Sequence, residues 1–239
     1  MSFLTAEWRK LVIANYIIEE EILKPYLPYG TELDLWEGNC YVSLIGFLFK
    51  NTRLKGIKIP FHVNFEEVNL RFYVKYKDGN NWKRGVVFIK EIVTKPILAF
   101  VANTLYNERY VAMPMKYSWA ENNGELDINY HWKWKKNWQS ISFQADSKLL
   151  PILPNTEAEF ITEHYWGYSK YNEGTTFEYE VTHPRWEQYK VKSYDIIADF
   201  GDLYGEDFRM LTGRTPDSLM LAEGSEISIK PKRIIKSTK

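Results

Sequence analysis

The stretch Glu67-Val68-Asn69-Leu70-Arg71-Phe72-Tyr73-Val74 decides how this chain folds. Val68, Leu70, Phe72 and Val74 fall on one parity; Glu67, Asn69, Arg71 and Tyr73 fall on the other. Successive side chains of a strand point to opposite faces, so the alternation predicts a half-buried β-strand. Its polar face either meets water or lines a polar cavity inside a barrel. On the outside, these groups would make weak surface pairs worth about 0–1 kcal/mol each. On the inside, an unpaired charge would cost several kcal/mol, so a closed polar network is expected. Glu67 and Arg71 stand roughly 13–14 Å apart along one strand. They need partners from a neighbouring strand, for which Glu91 and Lys90 are the expected candidates.

Outward from this stretch the pattern stays strand-rich. Residues 12–18, 40–49, 85–94, 130–135, 137–144 and 176–183 are rich in β-branched and aromatic residues and read as strands. Glu32–Trp36 and Cys40–Phe49 read as a hairpin about Glu37-Gly38-Asn39, and residues 51–61 as a loop. Residues 218–232 read as a final strand pair around Gly224. Helices are predicted from Thr5 through Leu11, over Glu19–Leu27 up to its prolines, and over Pro96–Asn107 with Ala99, Ala102 and Leu105 inward. Thr156-Glu-Ala-Glu159 is a capping box opening another short helix. Many strands with short turns and a few helices predict a mainly β (α+β) antiparallel barrel or sandwich. No linker or repeat divides residues 1–239, so one domain is expected.

Composition narrows the function classes. Nine tryptophans, 17 tyrosines and 13 phenylalanines make 16% of the 239 residues, which suits strands and ring-walled clefts. Thirty-one basic and 31 acidic residues cancel, a poor match to nucleic acid, whose binding rests on phosphate neutralisation. The basic run from Lys230 to Lys239 reads as a solvated end. Trp132, Trp134 and Trp138 among Lys133, Lys135 and Lys136 could stack bases, but alternation explains the first two as a buried face. The single cysteine, Cys40, excludes an internal disulfide and a multi-cysteine zinc site, and its apolar setting predicts an inert core thiol. Charged residues interrupt the N-terminal stretch, so no signal peptide is expected, and no apolar run of about 18 residues predicts a membrane span. A soluble, cytoplasmic protein is expected. His62, His131, His164 and His183 lack metal-ligand spacing, and no metal or cofactor is expected. There is no nucleophile elbow and no phosphate-binding glycine loop.

Several phrases occur together and in order. They are Trp8-x-x-Leu11 with Asn15-Tyr16, Leu27-Pro28-x-Gly30 with Glu32-Leu-Asp34, Gly38 with Tyr41-Val-Ser43, and the stretch 67–74. Gly85-Val86, Glu163-His-Tyr165 and Val181-x-His183-Pro-x-Trp186 follow. In this order the chain resembles the YqjF-like bacterial family, a domain of unknown function, from about residue 8 to residue 232. That family is distantly similar to acetoacetate decarboxylase. The resemblance implies an antiparallel β-barrel or cone around a cavity, with flanking helices, and it implies that Glu67, Asn69, Arg71 and Tyr73 face inward. The decarboxylases carry a Schiff-base lysine directly after a proline, usually followed by a second lysine, with the first amine activated by burial or a neighbouring cation. The corresponding place here is Pro114-Met115-Lys116. Met115 stands at the nucleophile's position and Lys116 at that of the second lysine. In an extended segment one step reverses the face, so Lys116 replaces its neighbour only if a bulge re-aims it.

These observations lead to an expected ligand-binding set of Glu67, Asn69, Arg71, Tyr73 and Glu91. Arg71 would anchor a small anionic, carboxylate-bearing molecule, without decarboxylase chemistry. Two alternatives stand beside it: a Schiff-base enzyme acting on a keto or oxo acid through Lys116, and a structural or interaction barrel packed solid with rings. Self-association stays open.

Overall fold

The computed structural model describes residues 2–237; Lys239, the end of the basic run, lies outside them. In chain order the elements are β1 (Leu4–Ile18), α1 (Glu20–Leu23), β2 (Thr31–Leu33), β3 (Cys40–Leu54), β4 (Phe65–Asp78), β5 (Asn81–Val93) and α2 (Pro96–Tyr106). Then follow β6 (Tyr110–Ala112), β7 (Met115–Asn122), β8 (Glu125–Trp134), β9 (Asn137–Pro151), α3 (Glu157–Thr162), β10 (Trp166–Asn172) and β11 (Thr175–Thr182). The last elements are β12 (Glu187–Ile197), α4 (Phe200–Tyr204), β13 (Ser218–Ile229) and β14 (Arg233–Lys236).

Seven of these strands close on themselves in the order β11-β10-β5-β4-β3-β1-β13 and back to β11. Neighbours are antiparallel except β5 and β10. The closing seam is short, two residue pairs, Val181 with Ile229 and Thr182 with Ser228. Closure gives the ring an inside and an outside, and the alternation sorts side chains between them. Ile13, Ile45, Phe47, Tyr73, Val86, Tyr179 and Met220 form the inner core. Val12, Val42, Val68, Leu70, Phe72 and Val87 point outward into a second core. That core is covered by Ile128, Tyr130, Trp132, Ile141 and Phe143, from the layer that β12, β9, β8 and β7 add beyond β13. Full burial of side chains of this size contributes about 1.5–3 kcal/mol each, so both faces of the wall are held. The helix α2 lies over one end of the ring, where Leu98, Val101 and Ala102 face a cavity. Phe160 and Ile161 of α3 pack into the inner core near Tyr73, at the other end. Among the described residues no helix is long and apolar enough to cross a membrane.

The mainly β class and the β4 strand are as expected, and several local expectations need correction. Residues 5–11 are strand, because β1 pairs with both β3 and β13, and two ladders outweigh a local capping signal. β3 runs through the predicted loop as far as Leu54, with Asn51 in a left-handed kink at φ 55°. A bridge between Trp36 and Asn39 closes the expected turn, but Thr31–Leu33 leaves it to pair with β4. β13 is one strand, not a pair. Gly224 sits inside it at φ 80° with the Trp8 carbonyl so close that a Cβ would collide with it. On α2, Ala99 and Tyr106 are buried while Leu105 is exposed. The described part of the basic run is solvated at Lys230, Arg233 and Lys236, as expected, but is held in place. β14 pairs with β11, and Arg233 reaches Asp78 and the fully buried Glu178.

Candidate functional site

The polar face of β4 points into the ring. Glu67, Asn69, Arg71 and Tyr73 expose only 2, 1, 8 and 1% of their surface. Glu91 of β5 joins them, 1% exposed and directly opposite Asn69. Its orientation depends on a bulge. The β4–β5 register slips between Leu70 and Arg71, leaving Ile89 without a partner. Ile89 and Lys90 therefore both turn outward, Lys90 to the Leu203 carbonyl and the Trp134 ring, and Glu91 turns inward. Of the two partners expected from β5, the site receives the acid and not the lysine.

Three groups missing from the sequence reading complete the cluster. β6 runs parallel to β5 and sets Tyr110 beside Glu91. The Asn103 side chain clamps the Tyr110 backbone, accepting from its N–H at 2.7 Å and donating to its carbonyl at 2.9 Å. The Tyr110 hydroxyl donates to Glu67 Oε2 at 3.2 Å, and Asn69 Nδ2 donates to Glu67 Oε1 at 2.8 Å. Glu108 lies just before β6 and accepts from the Tyr179 hydroxyl at 3.0 Å. Tyr179 owes its position to Gly167, its cross-strand partner, where a Cβ would overlap the phenol ring. Residues 176–183 read as a strand, but nothing in them says which parity faces inward. Nothing marked Glu108 and Tyr110, because a three-residue strand is too short to show a period.

Three carboxyls thus share one buried space. Burial raises Glu67 to about 7, against the Asn69 and Tyr110 hydrogen bonds and the Arg71 charge, which lower it. Burial raises Glu108 to about 8, against its bond from Tyr179. Burial, then the charges of Glu108 and Glu67, push Glu91 well above the usual carboxylate range. Burial thus favours the protonated form of all three carboxyls. Among the described residues the expected closed network does not form: Arg71 Nε, Glu91 Oε2 and Asn69 Oδ1 have no hydrogen-bond partner. Arg71 has no acid within ion-pair distance among the described residues, and its guanidinium carbon lies 5.7 Å from the Tyr73 ring centroid.

Tyr73 leads into a second polar chain. Its hydroxyl meets Ser43 Oγ at 2.7 Å, and Ser43 donates to Asn15 Oδ1 at 2.6 Å. The His164 ring lies 4.8 Å from that of Tyr73, and its Nε2 contacts Asp34 Oδ2 at 3.0 Å. Burial draws His164 down to about 4, against the Asp34 bond, so the imidazole is neutral. Asp34 is a carboxylate that can only accept, since burial is outweighed by bonds from His164 and Arg84. Nε2 therefore carries the proton, and Nδ1 is bare and unpaired.

Beside the carboxyls, under α2, is a cavity of about 180 Å³. Its walls are almost wholly apolar, and Glu108, Tyr110 and Tyr179 are among its few polar groups. No lysine lines it. Lys116 is exposed on β7, its Nζ 4.8 Å from the Trp138 ring centroid, and is not brought to Glu67 or Arg71. Met115 packs against the outer core. Cys40 is buried, and burial raises its thiol to about 12, as an inert core thiol requires. Among the described residues no three His, Cys, Asp or Glu side chains are arranged to hold a metal ion.

The family model for DUF2071, an uncharacterized conserved protein, matches residues 5–226. This chain belongs to the DUF2071 family. It is 30% identical over 204 residues to the uncharacterized protein YqjF of Bacillus subtilis, covering 83% of this chain and 80% of that one. The DUF2071 fold is that of the acetoacetate decarboxylases. The Legionella pneumophila acetoacetate decarboxylase superposes with a TM-score of 0.66 at 12% identity, over 98% of this chain and 88% of that one. The enduracididine biosynthesis enzyme MppR complexed with pyruvate gives 0.65 at 9% identity, over 100% and 93%. At such identities the shared property is the ring of strands, while the residues inside it are this DUF2071 chain's own.

Proposed function

We propose that this protein binds a small carboxylate-bearing molecule inside the seven-stranded ring, with Arg71 as the anchor, and that it does so without decarboxylase chemistry. One observation carries the reading: Arg71 is 8% exposed, faces the ring interior, and has neither an acid partner nor a bond to Nε. A buried guanidinium without a partner is costly, and a planar carboxylate matches its donor fork. Burial favours the neutral form of the neighbouring carboxyls, so that with Asn69 they offer hydrogen-bonding groups to a ligand and less negative charge. That MppR, of the same fold, is complexed with pyruvate supports a small acid as the kind of ligand such a ring holds. The exclusion of Schiff-base chemistry rests on Met115 at the position after Pro114 and on the exposed Lys116.

The reading is tested by thermal shift and calorimetry with small carboxylic acids, their amides and their alcohols. Acids are expected to raise the melting temperature by mass action and the neutral analogues to do so less. Arg71→Met should remove the difference. Equal effects of acids and amides on the wild type would overturn the reading.

A further inference from the structure

The cavity under α2 has a character that the anchoring of an acid does not explain. Leu4, Phe49, Leu54, Phe65, Leu98 and Val101 are among the apolar residues that make most of its wall. Such a lining offers dispersion contact and no orienting bonds, so it selects hydrocarbon. An apolar cavity of about 150 Å³ is known to stay dry and to bind benzene, so about 180 Å³ has room for one ring. Besides Thr52, His62 and Tyr106, three of the polar groups on its wall belong together. Glu108, Tyr110 and Tyr179 belong to the buried acid cluster, and Tyr110 bonds directly to Glu67 of the Arg71 stripe. At the outer end the rim is also apolar: Ile97 of α2 is 60% exposed and Ile59 40%, both lining the cavity. An apolar entrance, an apolar chamber and a polar cluster beside it match a molecule with the same order of parts.

We infer that the cavity under α2 is a hydrocarbon subsite, and that the ligand is a carboxylic acid carrying one aromatic ring or an aliphatic tail of about six carbons, a size set by analogy with the benzene cavity. The tail lies between α2, Phe49 and Phe65, and the acid head lies past Tyr110 toward Arg71. This assignment rests on the acid-binding reading for the head, but the subsite itself rests on the cavity alone.

The test is calorimetric titration of the full chain with straight-chain acids from acetate to octanoate, with phenylacetate, and with the primary alcohols of matching length. Burying each methylene is worth about 0.8 kcal/mol, so Kd should tighten about fourfold per carbon as far as hexanoate and then level off. Ala102→Trp and Val101→Trp each place an indole in the chamber and should flatten this gradient, so that hexanoate binds no tighter than acetate. Circular dichroism of both variants confirms that they fold, and either alone suffices. A wild-type series with no gradient, or the same gradient in a folded variant, overturns the subsite. Arg71→Met separates the two proposals. If short acids bind through Arg71 without a chain-length gradient, the subsite falls and the anchor stands. If acids and alcohols show one gradient that Arg71→Met leaves unchanged, the anchor falls and the subsite stands.

Discussion

Asn69 and Glu91 face each other across β4 and β5 on the inner side of the ring, and they do so only because Ile89 bulges out of the ladder. If Ile89 kept its place in a strict alternation instead of bulging, β5 would turn Lys90 inward and Glu91 out. Deleting Ile89 should therefore remove the bulge and keep Glu91 inward opposite Asn69, because Lys90 then follows Phe88 directly and stays outward. The expected result is a still cooperative thermal unfolding, checked by calorimetry, with a cost like that of Ile89→Ala, which keeps the bulge and costs about 2–5 kcal/mol as an ordinary core truncation.

Arg71 should be dispensable for folding. It has no ion-pair partner among the described residues, so Arg71→Met removes a desolvated charge and leaves no acid newly stranded. Urea denaturation is expected to show stability unchanged or raised by up to about 2 kcal/mol. A loss of more than that would mean that the guanidinium is held by the fold and not held ready for a ligand.

The acid cluster predicts a pH dependence with a definite sign. Glu67 and Glu108 bind protons more tightly folded than unfolded, at about 7 and about 8. Such groups stabilise fully below the unfolded value, and the contribution is lost as pH rises through the folded one. His164, drawn down to about 4, acts in the opposite sense: its contribution is present above its unfolded value and is lost as pH falls. The clean observable is the difference between the wild type and Glu108→Gln. Wild-type stability should fall relative to the variant between about pH 4.5 and 8, by a few kcal/mol on an order-of-magnitude basis, and then become level. A flat difference across that window would place Glu108 among ordinary exposed acids.

Gly167 and Tyr179 should behave as a coupled pair. Gly167→Ala drives a methyl group into the phenol ring, which must leave Glu108. A cost of about 1–3 kcal/mol is expected from overpacking, largely relieved when Tyr179→Leu is added. Additive costs in the double-mutant cycle would show that the close approach does not position Tyr179.

Lys116 should be inert. Lys116→Ala on the exposed face of β7 is expected to change stability by less than about 0.5 kcal/mol. Borohydride treatment with keto acids should leave no lysine adduct detectable by mass spectrometry. An adduct that disappears in Lys116→Ala would restore the Schiff-base alternative.

Part of this site could be read from the residues and part could not. The alternation at 67–74 fixed which four side chains share a face, since β4 pairs with β3 there without a bulge. It could not say which side of the sheet is enclosed, because burial on both faces depends on ring closure between β11 and β13, strands far apart in sequence. Resemblance supplied that direction. Glu108 and Tyr110 escaped because they flank a strand of three residues held by Asn103. Residues 5–11 misled because a good local cap lost to two long ladders. Lys90 misled because a bulge is invisible to a rule that counts by twos.

The ring is fastened shut by two residue pairs, Val181 with Ile229 and Thr182 with Ser228, where every other junction but that of β5 with β10 is longer. A clasp that short concentrates the molecule's breathing at one line. A guest too bulky for the door beneath α2 would have to enter by unhooking it, and the amides of that line, not those of the long β1–β3 ladder, would be the first to trade their hydrogens with water.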